Sequence, residues 1–164
     1  MKKLSLFVAL ILLGGAVFAN GQAEQSSSSS YSGPMGLKAD MSLVNPADPS
    51  QYNLTGLGPS VTAFTTEAEA QSLAAHGPTI YFFAATWCPN CQATYKDIQA
   101  HYQTIPANVH LVFVDYDKAS ALKQKYGITM QHTFVLIDSQ GNKVKAWAGT
   151  RTVADILKAA GISS

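Results

Sequence analysis

The sequence predicts an α/β fold, a central mixed β-sheet flanked by helices on both faces. From about residue 60 onward, apolar runs suited to buried strands alternate with stretches of helical spacing, the pattern of parallel strands joined by crossover helices. The last two strand-like runs are linked across Asp138-Ser139-Gln140-Gly141-Asn142, a connection of hairpin length, so part of the sheet must be antiparallel. With 164 residues, 47% of them hydrophobic and 13% charged, the chain can bury one real core.

The N-terminus reads as an export signal at residues 1–19. Met1-Lys2-Lys3 is a positive start, Leu4 to Leu13 an apolar core, and Val17-Phe18-Ala19 a small-residue cleavage site, with Ala23 the second choice. The apolar stretch ending at Ala19 is slightly short for a bilayer span, so an uncleaved anchor is the alternative. No cysteine lies near its end, which excludes a lipid anchor on cysteine. Residues 20–59 carry the Ser26 to Ser30 run and Pro34, Pro46, Pro49 and Pro59. Such composition offsets little ordering entropy and is expected to form a flexible linker. Leu43, Val44, Tyr52, Leu54 and Leu57 leave room for a short piece that docks on the domain at 60–164.

Within that domain Val61 to Phe64 is a strand. Thr66 precedes an apolar spacing over Glu67 to Ala74 and caps a helix ending at His76-Gly77. Thr79 to Ala84 is a strand buried on both faces. A second helix runs from Cys88 to about Thr104, with Ala93, Tyr95, Ile98 and Tyr102 on one side. Val109 to Val114 is another buried strand, and Lys118 to Tyr126 a helix closed by Gly127. Thr133 to Ile137 and Lys143 to Trp147 form the hairpin, and Thr152 to Ala160 the final helix, stopped by Gly161. The order is β-α-β-α-β-α-β-β-α.

Formal net charge is +1, and removing a segment that holds Lys2 and Lys3 leaves about −1. No basic patch argues for nucleic acid. The two cysteines, Cys88 and Cys91, are only three residues apart, so a disulfide between them restrains the unfolded chain too little to be a structural staple. Pro89, one residue past Cys88, suits the first helical position, which makes Cys88 the N-cap. Unpaired N–H groups and the helix dipole favour an anion there, so Cys88 is expected to ionise below the ~8.5 of a free thiol and to act as the nucleophile. Helical geometry puts the two Cα atoms roughly 5 Å apart, within disulfide reach.

Three features resemble the thioredoxin superfamily: Trp87-Cys88-Pro89-Asn90-Cys91 at a strand-to-helix junction, Lys125-Tyr126-Gly127-Ile128 before the fourth strand, and Gly149 before the last helix. With the export signal, the chain is similar to the extracytoplasmic branch. The resemblance implies a thioredoxin-like thiol-disulfide oxidoreductase, with no cofactor beyond the Cys88–Cys91 pair and no resident metal. Its implied partners are cysteine-containing exported proteins and a redox donor or acceptor. A monomer with no membrane span after cleavage, located in the periplasm or another extracytoplasmic space, completes the expectation. Main-chain groups of Gln131 and Thr133 are expected to pair with substrate. Asn90, being uncharged, stabilises the Cys88 thiolate less than a histidine would, which leans towards disulfide reduction.

The pattern departs from that family in places. Where relatives carry a cis-proline this chain has His132, and a cis bond before a non-proline residue costs ~2.5–4 kcal/mol, so Gln131–His132 is expected to be trans. His132 has three readings: an imidazolium facing Cys88, a neutral packed ring, or a metal ligand. The third supports an alternative function, a copper- or zinc-binding module using Cys88, Cys91 and His132. Phe82 stands where relatives have a buried acid, and Phe113 where they often have a lysine, so the site is expected to be dry. Trp87 either shelters the pair and offers a flat contact to a partner or simply packs. His76, His101 and His110 read as solvated or capping residues, Asp115 and Asp117 as caps or loop residues, Tyr95 as packing on the sheet, and Met130 as core or loop filler.

Overall fold

The computed structural model describes residues 32, 33 and 36–163. The export signal at 1–19 and the serine run fall outside the described residues. Seven strands and four α-helices are present among them: β1 (Val44–Asn45), β2 (Asp48–Tyr52), β3 (Val61–Ala63), α1 (Glu67–Ala74), β4 (Thr79–Ala84), α2 (Pro89–His101), β5 (His110–Asp115), α3 (Ser120–Tyr126), β6 (Thr133–Ile137), β7 (Lys143–Ala148) and α4 (Val153–Ala160). From β3 onward this is the order expected from sequence.

The sheet runs β3-β5-β4-β6-β7. β5 pairs parallel with β3 and β4, whereas β6 is antiparallel to β4 and β7, giving the mixed sheet. β4 lies at its centre, and all six of its residues are buried. Its side chains alternate, as the pleat requires. Ile80 and Phe82 join a core with Cys91, Tyr95 and Ile98 of α2 and Val153, Ile156 and Leu157 of α4. Tyr81 and Phe83 face the other layer, with Ala70 of α1 and Leu122 and Tyr126 of α3.

Helix ends follow the local chemistry. The Thr66 hydroxyl accepts the Glu69 N–H at 3.2 Å, and that of Thr152 accepts the Asp155 N–H at 3.1 Å. Gly127 and Gly161 end α3 and α4 in the left-handed conformation. α3 starts two residues later than expected because the Asp115 carboxylate accepts the N–H groups of Asp117 and Lys118 and holds them in a turn.

The segment expected to be a flexible linker is, over residues 43–57, folded against the domain. β1 and β2 form an antiparallel pair, and Leu43, Val44, Tyr52 and Leu57 are buried. Burying an apolar side chain is worth ~1.5–3 kcal/mol, whereas the exposed Lys118–Asp48 ion pair at 2.6 Å contributes ~0–1 kcal/mol. The sparse apolar residues, the same ones that left room for a docked piece in the sequence, therefore hold this segment down.

Candidate active site

β4 ends at Ala84, and the turn through Ala85, Thr86 and Trp87 delivers Cys88 to the start of α2. Cys88 is the N-cap, with Pro89 in the first turn. Its sulfur accepts the Cys91 N–H at 3.3 Å, and its own N–H donates to the Ala85 carbonyl at 3.1 Å. Both cysteines are free thiols. Cys88 is 3% exposed and Cys91 wholly buried.

The two sulfurs sit in opposite electrostatic environments. The Cys88 thiol is pulled down from its ordinary 9.0 to about 6, first by a hydrogen bond from the Cys91 thiol. Burial opposes that, and the Cys91 N–H, the Gln131 side chain and the Asn90 N–H assist it. Burial pushes the Cys91 thiol strongly upward, and the neighbouring Cys88 sulfur adds to this. The pair thus comprises one sulfur poised as an anion and one held as a proton donor to it.

Gln131 reaches Cys88 with its side chain. Thr133 opens β6 in register with Phe83 on one side and Ala148 on the other, and its hydroxyl donates to the Met130 carbonyl at 2.9 Å. Its backbone thus lies inside the sheet. Asn90 and Pro89 are exposed, and it is the Asn90 backbone that supports the thiolate.

His132 does not act as an imidazolium on Cys88. The Gln131–His132 peptide is trans, and His132 has φ 59°, the sole non-glycine left-handed residue among the described residues. That backbone sends its N–H to the Phe83 carbonyl at 2.8 Å and its ring into a site between Phe82 and Phe134. Nε2 lies 3.0 Å from the Thr94 hydroxyl. Burial lowers the imidazole pKa, only partly offset by a bond to the Thr150 carbonyl. A carbonyl can only accept, so the nitrogen facing Thr150 carries the proton and Nε2 accepts from Thr94. The ring is therefore neutral and packed between Phe82 and Phe134, facing Thr94. Among the described residues no three His, Cys, Asp or Glu side chains converge as metal ligands.

The dryness expected from Phe82 and Phe113 is present. Phe82 is fully buried, stacks on Phe134 with centroids 4.4 Å apart and planes 5° apart, and meets Phe113 edge-on at 5.1 Å. Trp87 offers no open face to a partner, being 3% exposed. Its indole N–H donates to Asp117 at 2.8 Å, and the Gly33 backbone lies on its ring so closely that a Cβ there would fall 1.9 Å from the indole. Met130 is 56% exposed in the loop before His132, so it is a loop residue and not core.

Thr94, the Asp117–Trp87 bond and Tyr52 also belong to this site, beyond the residues expected from sequence. Thr94 had a signal, a polar residue one turn after Cys91 on the buried side of α2. Tyr95 packs on the sheet as expected, and its hydroxyl donates to the Asn53 carbonyl. His76 and His101 bond the Ser72 and Asp97 carbonyls four residues back, while His110 is partly buried.

The family profile described as Thioredoxin matches residues 60–161. The structure is similar to that of Trxlp from Edwardsiella tarda, at 22% identity over 60% of this chain and 96% of that one, TM-score 0.50. It is also similar to thioredoxin from Fasciola hepatica, at 24% identity over 61% and 96% of the chains, TM-score 0.50. A chain solved for the thiol resolving mechanism in yeast mitochondrial 1-Cys peroxiredoxin has 22% identity over 63% and 96%, TM-score 0.51. At these identities the likeness speaks to the fold. A comparison with curated proteins returned no match. The profile match, the five-stranded mixed sheet and a Cys-x-x-Cys pair at the start of α2 agree: this chain belongs to the thioredoxin family, whose general chemistry is thiol-disulfide exchange without a cofactor.

Proposed function

We propose that this thiol-disulfide oxidoreductase reduces disulfides in exported proteins, with Cys88 as attacking sulfur and Cys91 as resolving sulfur. The observation that carries the assignment is the opposed environment of the two thiols, Cys88 lowered to about 6 and Cys91 pushed up. The Cys88 thiolate attacks one sulfur of a substrate disulfide, a mixed disulfide forms, and the other substrate sulfur leaves as a thiolate. Cys91 then attacks Cys88 Sγ, the mixed disulfide breaks, and the proton of Cys91 passes to the departing substrate sulfur, so the substrate leaves reduced by two electrons while the protein holds the Cys88–Cys91 disulfide. A dithiol donor protein resets it.

Direction is supported by the Cys88 value, which lies nearer the ~7 of thioredoxin than the ~3.5 of a strongly oxidising relative. Export is supported by the positive start, apolar run and small-residue site of residues 1–19, which direct the chain to the periplasm or an equivalent space, where it works as a monomer. Insulin reduction with dithiothreitol as donor tests the activity. Wild type is expected to turn over, Cys88→Ser to be inactive, and Cys91→Ser to accumulate a mixed disulfide. Oxidation of reduced substrate without any reduction would overturn the direction, and absence of both would overturn the function. Fusing residues 1–23 to a reporter active only outside the cytoplasm tests export, and an inactive fusion rejects it.

A further inference from the structure

The β1–β2 hairpin lies before the residues that match the family, yet it reaches the back of the cysteine pair. Tyr52, the last residue of β2, is 6% exposed and packed in the same cluster as Cys88 and Cys91. Its ring lies 4.6 Å from Tyr95 and 5.6 Å, edge-on, from Phe113. Its hydroxyl donates to the Ala85 carbonyl at 3.1 Å, the same oxygen that accepts the Cys88 N–H. A second bond, from the Thr86 hydroxyl to the Pro49 carbonyl at 2.9 Å, ties the hairpin to the same turn. Beyond Tyr52 and Phe113 lies a partly open cavity of about 370 Å³, with polar walls at Ser50, Asp115 and Lys118. Cys91 does not line it. The two rings are therefore the wall between a wettable cavity and the buried sulfur.

We propose that Tyr52 is a positioning residue of the redox pair: its ring keeps water from the inner side of Cys91, and its hydroxyl braces the Ala85 carbonyl that orients Cys88. The proposal rests on the oxidoreductase reading of that pair and adds that a segment outside the matched domain tunes it. A dry Cys91 keeps its proton and donates it to the Cys88 sulfur, which is the largest influence lowering Cys88. Water at Cys91 would favour its ionised form and weaken that donation. Loss of the ring should thus move the two sulfurs in opposite senses, Cys91 down and Cys88 up. Packing damage alone has no reason to do that. The titratable groups nearest Cys91 are Cys88, Tyr95 and Tyr52 of its cluster and His132, whose backbone bonds it; burial keeps the tyrosines and His132 neutral, while Asp115 and Lys118 face it only from across the Tyr52 and Phe113 rings.

The test is the pH dependence of iodoacetamide alkylation of the reduced full chain, with each cysteine assigned by peptide mass. No substrate is needed, so the result stands whether or not the protein turns over. In Tyr52→Ala the Cys91 midpoint is expected to fall and the Cys88 midpoint to rise. Each unit by which Cys91 falls gives about tenfold more Cys91 thiolate below its midpoint, and about threefold faster alkylation once the lower nucleophilicity of that thiolate is counted. Tyr52→Phe, which keeps the ring, should retain the wild-type Cys91 behaviour. If Tyr52→Ala does not fold, Tyr52→Leu carries the same expectation. Faster alkylation with unmoved midpoints, or both midpoints moving the same way, overturns the proposal.

Discussion

Replacing Gln131 by alanine removes one donor from the Cys88 sulfur while leaving the helix, Pro89 and Cys91 in place. The thiol is lowered from 9.0 to about 6, which amounts to about 4 kcal/mol in favour of the thiolate. Several donors share that effect against the cost of burial, and the Gln131 side chain ranks below the Cys91 thiol and N–H. A single bond of this rank, on a half-buried loop residue, is worth about 1 kcal/mol, or roughly 0.5–1 pH unit. At pH 6 the thiolate fraction should drop from about half to between about a quarter and a tenth. Ultraviolet thiolate absorbance, referenced to Cys88→Ser, reads this directly. Gln131→Glu should raise the midpoint further, because a carboxylate beside the sulfur repels its anion. An unmoved midpoint in both variants would show that the loop does not contribute, and the account of Cys88 would then rest on α2 alone.

Stability should depend on redox state and pH together. Because the folded Cys88 value, about 6, is below its ordinary 9.0, its contribution to the reduced protein is complete above pH ~9 and lost as pH falls through about 6. The thermal midpoint of the reduced protein should accordingly drop relative to the oxidised one between those limits; parallel curves would contradict the thiolate assignment. Phe82→Asp, which restores the acid that relatives carry, should destabilise by at least about 4 kcal/mol in denaturant melts, since it removes a ring stacked on Phe134 and buries a carboxylate beside Phe113. Unchanged stability would mean the region is wet. His132→Pro should cost about 2–4 kcal/mol, because proline fixes φ near −65° where the chain has 59° and lacks the N–H that Phe83 accepts. A stabilised variant would show that the loop re-forms around proline.

The strand and helix order from Val61 onward, the N-cap at Cys88 and the identity of the cysteine pair follow from short-range physics. Apolar period, glycine stops and a proline at the first turn each act within a few residues of where they stand in the chain. The trans Gln131–His132 peptide is of the same kind, a preference of one bond.

What only the tertiary structure decided is who meets whom across long separations. Gln131, rather than His132, serves Cys88, because a left-handed backbone at His132 turns its imidazole towards Thr94, 38 positions earlier in sequence. Asp117 takes the Trp87 indole from 30 positions away, and Tyr52 bonds Ala85 across 33. A residue's sequence neighbours set its local conformation, but the polarity around a sulfur depends on groups brought by distant elements. For that reason a segment with the composition of a linker could supply the inner wall of the site.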